Sequence, residues 1–289
     1  MKRFTVTSSG MALRSFLKEQ LEGTVSLKQV KRLIDQGQCT VDGKVEKFGS
    51  LKLKAGQKVA LSLERMGAEK SQKPTYSPKD ILYEDPYYLI YNKPCGLTCA
   101  PKAIESFFPD KLYLVHRLDK PTSGALLLAK TLEAKEKAED LFRERVVEKA
   151  YIARVKGSIK TSQKASSGKI ISHLVQVAAF DGQRLYGSME KQKKRSSAKS
   201  KYAETHWEVL EEKEGNALIC CHLKTGRTHQ IRVHLSELGH PILGDSLYGR
   251  EAGSAQRLFL HARSIKFIHP FKGCEVSAVA PLPDELSLA

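Results

Sequence analysis

Two kinds of hydrophobic spacing divide the chain. Near the N-terminus the apolar positions are helical: Leu13, Phe16, Leu17 and Leu21 recur at three- and four-residue steps until Gly23 breaks the pattern. Residues 24–34 repeat it, with Ser26 placed to cap a second helix and Gly37 to stop it. The polar face of that helix carries Lys28, Lys31 and Arg32. Cys39-Thr40-Val41 and Lys44-Val45-Glu46 then flank Asp42-Gly43, a hairpin turn signal, and residues 51–53 and 58–61 complete a small β part. From 65 to 79 the chain turns polar, with Gly67, Pro74 and Pro78, which reads as a linker after a compact unit over 11–64.

Beyond residue 80 the spacing favours strands. Residues 81–97 read as strand, turn, strand and loop, and the unbroken apolar run at 125–129 reads as a buried strand. A helix is predicted over 131–145, where Ala134, Ala138, Leu141 and Phe142 share a face. Residues 146–157 alternate as a strand, and 202–210 and 217–223 are further strands. Gly226 permits a turn from the last of these into a helix that Thr228 would cap. The tail from Pro281 reads as a surface end.

Composition narrows the class. A chain of 289 residues, 41% hydrophobic and 28% charged, suits a soluble globular protein of one or two domains. No run approaches the ~18 apolar residues of a membrane span, and the N-terminus lacks the apolar core of a signal peptide, so a cytoplasmic protein without membrane contact is expected. Lys and Arg number 48 against 32 Asp and Glu, a formal charge of +16 that favours an anionic partner such as nucleic acid; basicity for solubility alone is the alternative. The basic run at 191–201 fits a solvated face and a phosphate contact equally well. The six cysteines, Cys39, Cys95, Cys99, Cys220, Cys221 and Cys274, form no paired set with zinc spacing, so free thiols and no metal site are expected.

The candidate chemistry lies in Val115-His116-Arg117-Leu118-Asp119-Lys120-Pro121-Thr122-Ser123-Gly124, the polar stretch that enters the buried strand. Asp119 sits between Arg117 and Lys120, with His116 close by. Pro121 restricts the turn and Gly124 frees it. Such a loop holds one carboxylate ionised beside positive charge, as a carboxylate nucleophile requires. Taken alone, Arg-x-Asp is more often a local ion pair. A second basic string, Lys224-Thr225-Gly226-Arg227-Thr228-His229-Gln230-Ile231-Arg232-Val233-His234, follows the later buried strand.

The string from His116 to Gly124 resembles the signature of the RluA family of pseudouridine synthases. Further strings resemble the same family in the same order: Glu84 to Gly96, Lys149 to Gly157 around Tyr151, Leu223 to His234, Gly239 to Gly249, and Leu258 to Ala262. The N-terminal stretch resembles an S4 domain, a small RNA-binding module. Together these imply an α+β fold: a pseudouridine synthase catalytic domain over 80–289, a mixed, largely antiparallel sheet with flanking helices, preceded by an S4-like domain. The resemblance implies isomerisation of uridine to pseudouridine in RNA, with no cofactor or metal. Asp119 would be the catalytic residue, attacking C1′ or removing a sugar proton. Tyr151 would be the active-site tyrosine, and Arg232 the partner of Asp119. Arg117 would fill the space of the displaced base, Arg227 would contact a phosphate or support the loop, Leu260 would line the uracil pocket, and His116 would bind substrate. Lys28, Lys31 and Arg32 would meet RNA from the N-terminal module. A monomer acting on large-subunit ribosomal RNA is the leading expectation, with tRNA as the main alternative. Two other readings remain: a non-catalytic RNA-binding or ribosome-assembly protein, and a glycosylase-type hydrolase that would release free uracil.

Overall fold

The computed structural model describes residues 1–21, 25–35, 37–62, 74–180, 183–191, 199–249 and 257–288. The chain falls into two compact units, 1–72 with 176–185, and 73–175 with 186–289.

In the N-terminal unit β1 (Lys2–Thr5), β2 (Cys39–Val41), β3 (Lys44–Glu46) and β4 (Lys58–Leu61) form an antiparallel sheet in the order β1-β4-β2-β3. Helices α1 (Leu13–Gln20) and α2 (Leu27–Asp35) bury Leu13, Leu17, Val30 and Ile34 in one core with Val59 and Leu61 of β4. Ser26 does cap α2. Its Oγ accepts from Gln29 N at 3.2 Å, and Gln29 Oε1 accepts from Ser26 N at 2.7 Å, a reciprocal box. Asp42 and Gly43 turn the β2–β3 hairpin with φ of 51° and 78°. Strand β1 lies upstream of residue 11, where the apolar spacing starts the unit. It is a short, largely exposed edge strand, so it carries no alternation to read.

Residues 65–73 of the expected linker lie outside the described residues. Its last part, 74–79, is packed: Ser77 N donates to Tyr91 Oη at 3.0 Å, and Tyr76 stacks on Tyr91 with ring centroids 5.7 Å apart. One aromatic side chain is enough to anchor a segment whose composition is polar.

The larger sheet comprises β5 (Ile81–Glu84), β6 (Tyr88–Lys93), β7 (Tyr113–Leu114), β8 (Ser123–Ala129), β9 (Glu148–Lys156), β10 (Ser167–Phe180), β11 (Gln183–Ser188), β12 (Lys201–Lys213), β13 (Asn216–Leu223), β14 (Leu260–Ile268) and β15 (Glu275–Val279). Its order is β11-β10-β12-β13-β9-β14-β8-β6-β5, with β15 on β14 and β7 on β8. β8 and β14 run parallel, His261 opposite Ser123, while the pairs from β10 to β9 and from β8 to β5 are antiparallel. The mixed, largely antiparallel sheet expected from the sequence is therefore present.

β8 explains its own apolar run, because both of its faces are covered. Leu126 and Leu128 enter one core with Tyr91 and Tyr151. Ala125 and Leu127 enter another, against Ala134 and Ala138 of α4 (Leu132–Glu144). Thr131 caps α4 by accepting from Ala134 N at 3.1 Å, and Arg145 ends it with a φ of 62°. Short helices α3 (Pro101–Glu105) and α5 (Ile159–Gln163) flank the sheet. Helix α6 (Gln230–Glu237) puts Ile231 and Leu235 into the Tyr151 core.

Two expectations are corrected. Thr228 does not cap α6: His229 holds the cap position in a left-handed conformation, φ 57°, and no side-chain cap bond forms. Gln230 anchors the turn instead, its Oε1 accepting from Arg227 N at 3.0 Å and Thr225 Oγ1 at 2.7 Å. The tail from Pro281 is not a free surface end. Leu286 and Leu288 are buried against Ile152, Leu218 and Cys220. No described helix is long and apolar enough to cross a membrane.

Candidate active site

Asp119 sits in the loop between β7 and β8. Thr122 N donates to its carbonyl at 3.0 Å and closes the turn. The loop after β6 braces this turn on both sides of the carboxylate. Gly96 N donates to Lys120 O at 2.9 Å, Leu118 N meets Cys99 Sγ at 3.4 Å, and Cys95 Sγ meets Pro121 O at 3.3 Å. Beneath them Lys93 is fully buried, and its Nζ donates to Leu97 O at 2.9 Å and Pro94 O at 3.0 Å and reaches Lys120 O at 3.4 Å. Burial pushes that ammonium down to about 8. Gly124 then lets β8 approach β14: with φ +110°, a Cβ there would lie 2.2 Å from Ala262 O.

The facing wall is the turn from β13 into α6. Arg232, only 4% exposed, bridges two acids. Its Nη1 lies 3.3 Å from Asp119 Oδ2, while Nε and Nη2 grip Asp245 Oδ2 and Oδ1 at 2.7 and 2.8 Å. Leu247 N and Tyr248 N also donate to Asp245 Oδ1. Burial alone would raise the Asp245 carboxyl, but the Arg232 guanidinium more than offsets it and holds Asp245 below the usual carboxylate range. The same pair keeps Arg232 protonated against its own burial. Tyr248 lies under the guanidinium, 5.1 Å from ring centroid to Cζ.

His229 Nε2 lies 3.8 Å from Asp119 Oδ2, and its Nδ1 meets Tyr248 Oη at 2.8 Å. Burial lowers this imidazole below the ordinary histidine value, only partly opposed by the charge of Asp119. Tyr151 lies on β9 at 8% exposure; burial, and then the nearby Asp119 charge, push its phenol well above the usual range, so it stays protonated.

Of the residues singled out by sequence, Arg117, Asp119, Tyr151, Arg227, Arg232 and Leu260 line one pocket. Arg117 is exposed at its mouth, and Arg227 is tied to the scaffold by Nε donating to Tyr202 O at 2.9 Å. His116 is not part of it. Its Nε2 accepts from Leu127 N at 2.9 Å and its ring stacks on Phe142 at 4.7 Å. Burial, with Lys149 nearby, pushes it down to about 3, so it is a neutral packing residue and not a substrate ligand. Lys28, Lys31 and Arg32 stand on α2 in the other unit; the side chains of Lys28 and Arg32 lie outside the described residues, as do residues 192–198 of the basic run.

Asp245, His229 and Tyr248 were not singled out by the sequence. Asp245 and Tyr248 fall in a string noted only for its family resemblance, and an acid 13 positions from Arg232 announces no pairing. Among the described residues the group with metal-binding geometry, Glu208, Cys220 and His222, lies outside this pocket.

The fold, the strings and this pocket converge with comparison to known proteins: residues 87–237 match the RNA pseudouridylate synthase family, and the chain belongs to it. It is an RNA pseudouridine synthase of the RluA type. It is similar to ribosomal large subunit pseudouridine synthase C of Escherichia coli O157:H7, 33% identical with 98% of this chain and 92% of that protein aligned. It is also similar to ribosomal large subunit pseudouridine synthase D of Nitrosomonas europaea, 30% identical with 95% and 80% aligned. Among solved structures, human RNA pseudouridylate synthase domain containing 1 superposes with a TM-score of 0.61 and 28% identity, over 72% of this chain and 86% of that one.

Proposed function

We propose that this synthase acts on large-subunit ribosomal RNA, with Asp119 as its catalytic carboxylate. The observation that carries the reading is the Arg232 guanidinium, fixed by buried Asp245 and offering its remaining Nη1 to Asp119 inside a pocket that also holds Tyr151. The names of the relatives from Escherichia coli and Nitrosomonas europaea support the choice of RNA.

The reaction needs three things. The C1′–N1 bond must break with its electron pair leaving on the base. The freed uracil must turn within the pocket. A C1′–C5 bond must then form while C5 loses a proton and N1 gains one. Both close contacts of Asp119 fall on Oδ2, so Oδ1 is the oxygen assigned to the sugar, as C1′ nucleophile or as base toward a sugar proton. Tyr151 and Leu260 rise from the same face of the sheet and form the apolar seat for the base. The neutral Tyr151 hydroxyl serves as the proton relay at C5. The target nucleotide must leave its stack, and Arg117 at the pocket mouth enters the space it vacates. The N-terminal unit, two helices on a small antiparallel sheet, acts as an S4-like RNA-binding module. Arg227 and the overall charge of +16 draw the phosphate backbone.

Carbodiimide adducts mapped by reverse transcription on large-subunit ribosomal RNA and tRNA, each treated with purified protein, test this reading. New stops in the ribosomal RNA are expected. Stops confined to tRNA would overturn the substrate, and released uracil would replace isomerisation by hydrolysis.

A further inference from the structure

Metal ligands need not share a motif along the chain, because a sheet brings side chains together across it. β12 and β13 pair with Glu208 opposite Cys220 and His206 opposite His222. Paired residues of an antiparallel ladder share a face, and so do residues two apart on one strand. Glu208, Cys220 and His222 therefore project on one side. Their ligand atoms all lie within 4.8 Å of one another. The catalytic pocket is on the other side: Cys221 and Trp207 enter the core shared with Tyr151, while Cys220 enters the opposite core with Ile152 and Leu218.

The distances are informative. His222 Nε2 lies 3.5 Å from Cys220 Sγ and 3.5 Å from Glu208 Oε1. The second is too long for an N–H···O hydrogen bond, whose range is about 2.7–3.2 Å. A tetrahedral zinc ion with usual bond lengths separates its sulfur and nitrogen ligands by roughly 3.5 Å and its nitrogen and oxygen ligands by about 3.4 Å. The first separation, to Cys220 Sγ, is also a sulfur hydrogen-bond distance, so the fit to a coordination tetrahedron rests on both separations together with the closeness of all three ligand atoms.

We propose that Glu208, Cys220 and His222 form a zinc(II) site that ties β12 to β13 on the face away from the catalytic pocket. The donor set of one thiolate, one imidazole and one carboxylate suits zinc. Three protein ligands leave the fourth position to water, and the side open to solvent is flanked by Lys169 and His206 in a shallow hollow. His206 is not among the clustered ligands, and its Nε2 meets Glu204 Oε1 at 2.7 Å. Binding converts the Cys220 thiol to a thiolate and passes its proton to solvent, with no redox change.

Cobalt(II) is the probe, titrated into chelator-treated, reduced full-length protein. The expected result is a thiolate-to-cobalt charge-transfer band that saturates at one equivalent and is displaced by zinc(II). Cys220→Ser abolishes the band, and Cys274→Ser, which alters an exposed thiol elsewhere, leaves it intact. Because Cys220 is buried, the exposed partners give an independent check. His222→Ala and Glu208→Gln each weaken cobalt binding at least tenfold with the circular dichroism spectrum unchanged. Absence of the band, or a band that survives Cys220→Ser or keeps full affinity in His222→Ala, would overturn the proposal.

Discussion

Arg232 faces two carboxylates with one guanidinium, and the division is unequal. Asp245 takes two hydrogen bonds at 2.7 and 2.8 Å, and Asp119 takes one contact at 3.3 Å. Asp245 thus sets the guanidinium, and the guanidinium sets Asp119. Asp245→Asn should leave the acid in place yet loosen its partner. The single-turnover rate is expected to fall roughly 10²-fold, with RNA affinity in filter binding unchanged within error. Arg232→Ala removes both contacts and strands a buried charge, which should cost about 3–5 kcal/mol in urea melts. Asp119 and Arg232 were legible because each sits in a long, specific string. Asp245 was not, since only the folded turn at Leu247 and Tyr248 brings it under Arg232. His116, adjacent to the key loop in sequence, points away from the pocket into packing with Phe142, so proximity along the chain misassigned it.

The loop that carries Asp119 is held by its neighbours more than by itself. Lys93 and the Cys95–Cys99 segment clamp it from one side, and the parallel contact of β8 with β14 fixes its end. Gly124→Ala would place a methyl against the Ala262 backbone at a positive φ. A loss of roughly 2–5 kcal/mol is expected in equilibrium unfolding. Strands with both faces covered, such as β8, and helices with a clear stripe and cap, such as α2 and α4, could be read from the chain because their burial is written in their own spacing. β1 and the C-terminal tail could not. An edge strand of four residues has too few positions to show a period, and the burial of Leu286 and Leu288 depends on strands far away in sequence.

The whole molecule carries two pH- and salt-dependent signatures. His234 and His261 are both buried, hydrogen-bonded to Ser172 and Thr205 and to Ser123 respectively, and burial pushes each down to about 4. In the unfolded chain they would take a proton near the ordinary histidine value of about 6.5. The unfolded state therefore binds more protons between these values, and stability is lost as pH falls through that window. The loss is at most about 3 kcal/mol for each histidine. Urea midpoints measured from pH 7 to pH 4.5 should fall steadily, and a flat profile would show that these imidazoles accept protons in the folded state. The formal charge of +16 predicts RNA binding that weakens steeply with added salt, seen as a linear fall of log affinity against log salt concentration.

The proposed chemistry depends on the Asp119 carboxylate, held by Arg232 and braced by the loop after β6. The most direct measurement is the single-turnover conversion of uridine to pseudouridine in large-subunit ribosomal RNA by wild type and Asp119→Asn, with RNA affinity determined in parallel. The expected result is conversion by the wild type, at least a 10⁴-fold slower rate with the variant, taken as roughly the loss when a nucleophile or its base is removed, and equal affinity for RNA. Conversion by Asp119→Asn at a rate near that of the wild type would contradict the assignment and move the chemistry to another group in the pocket.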